Sequence, residues 1–290
     1  MNCDFAMLLK RGLKTPALLL MFLGIGLFFS TTPALAGGRP VGKHRLFVIA
    51  TSSYFFNDQY WDENGQTKSY DNNGKYATFS LSLSAEYGFS RRVSLMLSLP
   101  YTVNFFKNNV SSTTVGSLGD ASVGMSYYIA NIAYRTYFSV QTNFLFPVYH
   151  NTDSLNHGYG DVGANVQFLA SGDFKIGEKQ FAFSGTVGAS QYFGPLAPLQ
   201  LSFSGTLGFT VSKKNQISLT ETTASSYSPS KAFDPTSPVP AKDFTYSELT
   251  VTVAHNISRN KSFFFSGTRF LVGKNTGIGN TLSLGYAYKF

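Results

Sequence analysis

Polar and apolar residues alternate one by one over long stretches of this chain. Between Leu199 and Val211, one parity carries Leu199, Leu201, Phe203, Leu207, Phe209 and Val211, and the other carries Gln200, Ser202, Ser204, Thr206 and Thr210. Further upstream, Phe79, Leu81, Leu83, Ala85 and Tyr87 oppose Thr78, Ser80, Ser82, Ser84 and Glu86, and Val93, Leu95, Leu97, Leu99 and Tyr101 follow on one parity. Successive side chains of a strand point to opposite sides, so a period of two predicts strands with one greasy face and one hydroxyl-rich face. Twelve such segments can be traced from Lys43 to Phe290, among them Lys43–Phe55, Ser117–Ile129, Tyr159–Ser171 and Ile278–Phe290. A strand of ~9 to 11 residues crosses a hydrocarbon layer at a tilt, and these segments are long enough.

The connections alternate too. Tight ones (Phe89–Arg92, Ala130–Ala133, Gly172–Glu178, Ser212–Lys214, Ile257–Asn260) interleave with mostly long ones, of which Phe56–Lys75, Val148–Gly158 and the Pro-rich Ser228–Asp243 are the longest. Short periplasmic turns and long extracellular loops are the arrangement of outer-membrane barrels, and an even strand number leaves both termini in the periplasm. The expected fold is all-β: a transmembrane antiparallel β-barrel of about twelve strands. No apolar block of the ~20 residues that a spanning helix requires follows Gly37.

Parity assigns Arg45, Glu86, Asp120, Arg135, Gln141, Asn143, Asp161, Asn165, Gln167 and Glu248 to the interior, where they would line a solute path. Twelve strands fall between the filled barrels of about 8 strands and the open porins of 16 to 18, so a narrow channel is expected. Two charges break the scheme. Glu221 shares parity with Ile217 and Leu219, and Arg269 with Phe263, Phe265 and Leu271, which predicts bulges or slipped registers at these points.

The N-terminus fits the same compartment. Lys10, Arg11 and Lys14 precede an apolar run from Ala17 to Phe29, and Ala34-Leu35-Ala36 supplies a small-x-small cleavage site: a signal peptide of residues 1–36, leaving a barrel of residues 37–290. The single Cys3 leaves with the signal, which excludes disulfides and Cys-ligated metals from the mature chain. The first strand follows soon after Gly37, so no plug domain or energy-coupling segment is expected ahead of it. Composition agrees, with 16% aromatic but only 13% charged residues and a mean hydropathy of -0.02: apolar residues are plentiful but diluted by alternation. The net charge is +8, and residues 1–36 carry three of the 23 basic and one of the 15 acidic residues, leaving +6. That excess suits anionic lipopolysaccharide; no motif points to nucleic acid.

Aromatic residues gather near the strand ends as membrane-interface girdles: Phe105, Phe106, Phe146, Tyr149, Tyr192, Phe193, Tyr227 and Phe244 at one level, and Tyr87, Phe89, Tyr127, Tyr128, Tyr134, Phe181, Tyr288 and Phe290 at the other. Within the first long connection, Phe56, Tyr60 and Trp61 would be awkward in open water and are candidates for contacting a solute at the mouth. The chain ends in Leu282, Leu284, Tyr286, Tyr288 and Phe290 on one face. An aromatic closing strand of this kind resembles the signal by which outer-membrane barrels are received by the barrel-assembly machinery, which places Tyr286, Tyr288 and Phe290 in that role.

The stretch Gly116–Ile129, with Gly119-Asp120 ahead of Val123, Met125, Tyr127 and Tyr128, and the stretch Gly158–Ala170, with Gly160-Asp161, together resemble the outer-membrane transporters associated with the meta pathway of phenol degradation. That family is related to long-chain fatty-acid and aromatic-hydrocarbon channels. The resemblance implies passive uptake of a small hydrophobic or aromatic solute across the outer membrane of a Gram-negative bacterium, without a cofactor. Two alternatives compete: an outer-membrane lipid hydrolase and a non-transporting surface barrel. The hydrolases of this type use a His and a Ser two residues apart. His44, His150, His157 and His255 are followed at that spacing by Leu46, Thr152, Tyr159 and Ile257, so no catalytic pair is expected. His150, Asp153, His157 and Asp161 are metal-ligand types, but their spacing matches no rigid element and no metal site is expected.

Overall fold

The computed structural model describes residues 39–149, 151, 158–237 and 239–290. The expected signal peptide and Cys3 lie outside these residues, as do His150, Asp153 and His157. Fourteen strand segments follow one another: β1 (Leu46–Trp61), β2 (Thr67–Ser69), β3 (Lys75–Gly88), β4 (Val93–Lys107), β5 (Ser112–Leu118), β6 (Asp120–Ile132), β7 (Thr136–Pro147), β8 (Val162–Ile176), β9 (Lys179–Phe193), β10 (Leu199–Thr210), β11 (Asn215–Tyr227), β12 (Phe244–Asn256), β13 (Lys261–Lys274) and β14 (Thr276–Lys289).

All pairings are antiparallel and, apart from the short β2 and β5, follow chain order. β1 closes the cylinder against β14, from Phe47↔Lys289 to Trp61↔Thr276. Closure removes the unpaired edges that an open sheet would present, and it is what allows strands to cross hydrocarbon. β2 is a short hairpin extension of β1. β5 and β6 act as one stave, pairing with the upper and lower parts of β4. The break between them has a chemical cause. Gly119 donates its N–H to the carbonyl of Pro100 (2.9 Å), but Pro100 has no N–H to return, so the ladder lapses there. Counted as staves, the barrel has twelve strands.

Exposure confirms an inside-out protein. Leu83 and Phe203 are 54% and 53% exposed, whereas Ser94 and Ser139 are 3% exposed. The apolar parity forms the outer wall and the Ser/Thr parity faces the bore. Along the bore, hydroxyls pair across strands: Ser84 with Ser98 (2.9 Å), Thr206 with Thr220 (2.9 Å) and Thr250 with Thr268 (2.8 Å).

Several expectations need correction. β1 does not end at Phe55 but runs on to Trp61, so Phe56 lies on the outer wall, stacked on Tyr54 at 5.9 Å. A tight turn, with Asp62 Oδ1 accepting from the N–H of Asn64 and Gln66 (both 2.9 Å), converts the expected open loop into a hairpin. β8 extends to Ile176, and Gly177, at a φ of 59°, makes the turn into β9. Of the expected girdle residues, Phe106, Tyr128, Tyr192 and Phe244 share the inward parity, with Phe106 and Tyr192 buried.

The two misfit charges involve no slipped register. Glu221 pairs with Leu249, and Leu249 with Arg269, along an unbroken row, and the one bulge nearby lies above it, between Ser247 and Glu248. Glu221 and Arg269 both stand exposed on the outer wall.

Candidate functional site: the bore and its two ends

At the end of the short turns, the chain enters the barrel before it begins to pair. Residues 42–45 extend the sheet: Arg45 N–H donates to the Gly42 carbonyl (3.2 Å), His44 N–H to the Gly88 carbonyl (2.7 Å) and Gly88 N–H to the Arg45 carbonyl (2.9 Å). From there the chain turns inward. Val41 is buried, and Arg39 forms an ion pair with the buried carboxylate of Asp173 on β8, with its guanidinium 4.8 Å from the centre of the Tyr137 ring on β7. β8 is five staves from β1, so this strap crosses most of the bore. Seven residues reach ~23 to 25 Å when extended, which suffices. The strap narrows this end.

Above the strap lies a cavity of about 610 Å³. On one side Gln141, Asn143 and Gln167 point into it from β7 and β8, with Leu169 of β8 beside them. Asn165 continues the amide ladder, donating to Ser190 Oγ (2.8 Å). Across from them stand Phe47 and Ile49 of β1, with Met96 of β4 on the same side; Glu86 on β3 and Lys289 on β14 are the direct cross-strand neighbours of Phe47. Ile49 also borders a second cavity of about 260 Å³, lined by the Ser and Thr residues of β9 to β13 and by Phe264. Phe47 and Ile49 were legible as sharing the parity of Arg45; that this parity is the inward one emerges from the pairing with Lys289 and Ala287.

At the loop end several segments are tethered to the barrel. Asp120, at the start of β6, accepts hydrogen bonds from the hydroxyls of Tyr149 (2.9 Å) and Tyr192 (3.2 Å). The Tyr149 hydroxyl in turn accepts from the Gly160 N–H (3.1 Å), and burial and the Asp120 carboxylate push the phenol well above its usual range. Tyr159 packs edge-on against Tyr192 and donates to the Ala241 carbonyl (2.9 Å); burial raises its pKa to about 12, so it stays a donor.

The segment 228–243 is therefore not a free loop. Ser228 Oγ donates to the Leu196 carbonyl (2.7 Å), Phe233 packs on Tyr60 at 5.7 Å, and Asp243 receives Lys231 (2.6 Å) and Lys274 (3.2 Å). Burial pulls the Asp243 carboxyl upward, but the two ammonium groups outweigh it and hold it below the ordinary carboxylate value.

Of the residues assigned to the interior from sequence, Glu86, Asp120, Gln141, Asn143, Asn165, Gln167 and Glu248 point inward from strands. Arg45 and Arg135 sit in or beside turns at the lower rim, and Asp161 precedes β8 at the upper rim against Gly194. Tyr60 packs between Tyr70 and Phe233 at the mouth, while Trp61 is buried beside Gly273. Tyr286 and Tyr288 face outward in the closing strand, and Phe290 is exposed at its end, its N–H bonded to the Leu46 carbonyl (2.8 Å). Sequence reasoning missed Arg39 and Asp173. Asp173 lay in a segment read as a tight turn, and no local pattern joins it to Arg39.

The barrel is similar to solved outer-membrane proteins. An outer-membrane channel from Pseudomonas putida F1 aligns over 90% of this chain and 100% of its own, with a TM-score of 0.64 and 15% identity. The NanC porin aligns over 84% of this chain and 100% of its own (TM-score 0.52, 8% identity), and the β domain of the Bordetella autotransporter Brka over 83% and 99% (TM-score 0.50, 13% identity). At such identities the likeness is one of fold. No family model matches the sequence, and no curated protein matches it.

Proposed function

We propose that this protein is an outer-membrane channel for passive passage of a small amphipathic solute, apolar or aromatic on one side. One observation carries the reading: across a cavity from the amides of Gln141, Asn143 and Gln167 on β7 and β8 stand Phe47 and Ile49 of β1, so the bore offers both polar and apolar surface. A filler core would be apolar throughout, and a general water channel polar throughout. A lumen with both surfaces suits a solute that presents a ring or chain to one wall and a hydroxyl or carboxyl to the other. The porin-like fold of the solved neighbours supports a channel over an enzyme. The interior residues assigned from sequence form the path in this reading. Tyr60, with Phe233, forms the mouth.

The test is reconstitution of the refolded barrel in planar bilayers. Small conductance steps that phenolic solutes block, and that widen in Arg39→Ala or Asp173→Asn as the strap is released, are expected. Silence of the wild type and of both released-strap variants would leave a closed scaffold as the better reading.

A further inference from the structure

The outer wall carries its two misfit charges in one sector. Glu221 is the middle residue of β11, and Arg269 stands two staves away on β13, with Leu249 of β12 between them on the same row. Their local partners are modest: Ser247 Oγ donates to Glu221 Oε1 at 3.4 Å, and Arg269 Nη1 donates to Asn280 Oδ1 at 3.2 Å. Among the described residues neither charge has an ion-pair partner. Thr223 and Ser247 share this outward face, whereas below the row it returns to Ile217, Leu219, Val251, Val253, Phe263 and Phe265.

The same sector is flattened. Gly205 is the cross-strand partner of Glu221, and Gly267 lies on the outward parity of β13. A Cβ at Gly267 would meet nothing within 4 Å, and at Gly205 nothing nearer than 3.9 Å. Internal crowding therefore does not demand these glycines, in contrast to Gly285, where the Phe264 ring occupies the space. Small residues on a membrane-facing wall let a second backbone approach closely.

We propose that β11–β12–β13 is the face by which two copies of this chain pair in the membrane. The geometry is self-complementary. A two-fold axis along the membrane normal through β12 sets Glu221 of each copy against Arg269 of the other, and brings Leu249 against its own counterpart. Rows in a barrel are inclined by the strand tilt, so two staves ~9.5 Å apart differ in height by about 6 Å, which the length of the Arg side chain spans. The pairing gives each charge an opposite partner away from lipid, and the glycines bring the walls together.

The experiment uses the full chain with Cys3→Ser, exported to the outer membrane of a Gram-negative host, with one thiol introduced by Leu249→Cys and treated with a short bismaleimide. Heat-modifiable gel mobility checks that each variant has formed its barrel. A product of twice the monomer mass is expected from Leu249→Cys, and none from Met125→Cys on β6, across the barrel. Glu221→Arg or Arg269→Glu, each of which sets like charges together twice, should reduce the product about tenfold. Combining the two should restore it, because the charges are merely exchanged. Absence of the product in the folded parent, or a yield indifferent to Arg269→Glu, overturns the pairing.

Discussion

The wall made by β3, β4 and β6 and the wall made by β11, β12 and β13 meet the same solvent with different chemistry. The first presents an apolar face that includes Leu81, Leu83, Leu95, Leu97, Val123 and Met125. The second interrupts its apolar rows with Glu221, Arg269 and flanking glycines. Both walls alternate, both are held by antiparallel ladders, and both place Ser and Thr in the bore. The difference teaches that period-two alternation builds the cylinder, while departures confined to one sector record a demand other than lipid. The loop end repeats the contrast. Above β6 to β8 a carboxylate, Asp120, is held by neutral phenols, whereas above β11 to β13 another, Asp243, is held by two ammonium groups.

The sharpest way to break this comparison is to make the first wall resemble the second. Leu97→Arg places a lone cation toward lipid at mid-depth and should cost about 2–4 kcal/mol, read from the denaturant dependence of folding into vesicles. An insensitive barrel would mean that the outer wall of β4 is not in hydrocarbon. Next comes the phenol cage: Tyr149→Phe removes a donor from the Asp120 carboxylate and should destabilise by about 1.5–3 kcal/mol in the same assay. Smaller still, Ser84→Ala breaks one hydroxyl pair in the bore and should cost about 0.5–1.5 kcal/mol.

The ionic tether differs from the cage in its response to pH. The folded Asp243 carboxyl lies below its ordinary value of 3.8, so the stability it contributes is present in full above that value and is lost as pH falls through the lower folded value. Protease cleavage of segment 228–243 should thus be unchanged between about pH 5 and 8 and rise only in stronger acid. In Asp243→Asn it should be raised throughout.

Much of the barrel was legible because a strand's faces are set by parity alone. The Ser/Leu alternation of β3 and the aromatic tail of β14 give their orientation without any knowledge of neighbours. Reading failed where a residue's meaning depends on a distant partner. Phe56 read as loop because the Asp62 turn that continues the sheet was not recognised. Parity along a strand could give a face to Glu86 or Gln167, but it could not join the strap, since Arg39 and Asp173 are 134 positions apart.

From the sequence by itself came the all-β class, the staves and their two faces, the alternation of short and long connections, and the polar character of much of the bore. Each of these follows from local chemistry: side-chain period, turn-forming residues and, after Gly37, the lack of apolar runs long enough for a spanning helix. Only the tertiary structure decided that Phe47 and Ile49 face inward, that the N-terminal strap crosses to β8, that segment 228–243 is tied down, and that Glu221 and Arg269 share one outward row. These are consequences of closure, which brings β1 to β14 and fixes each register. No local pattern carries that information, because the residues that meet are far apart along the chain.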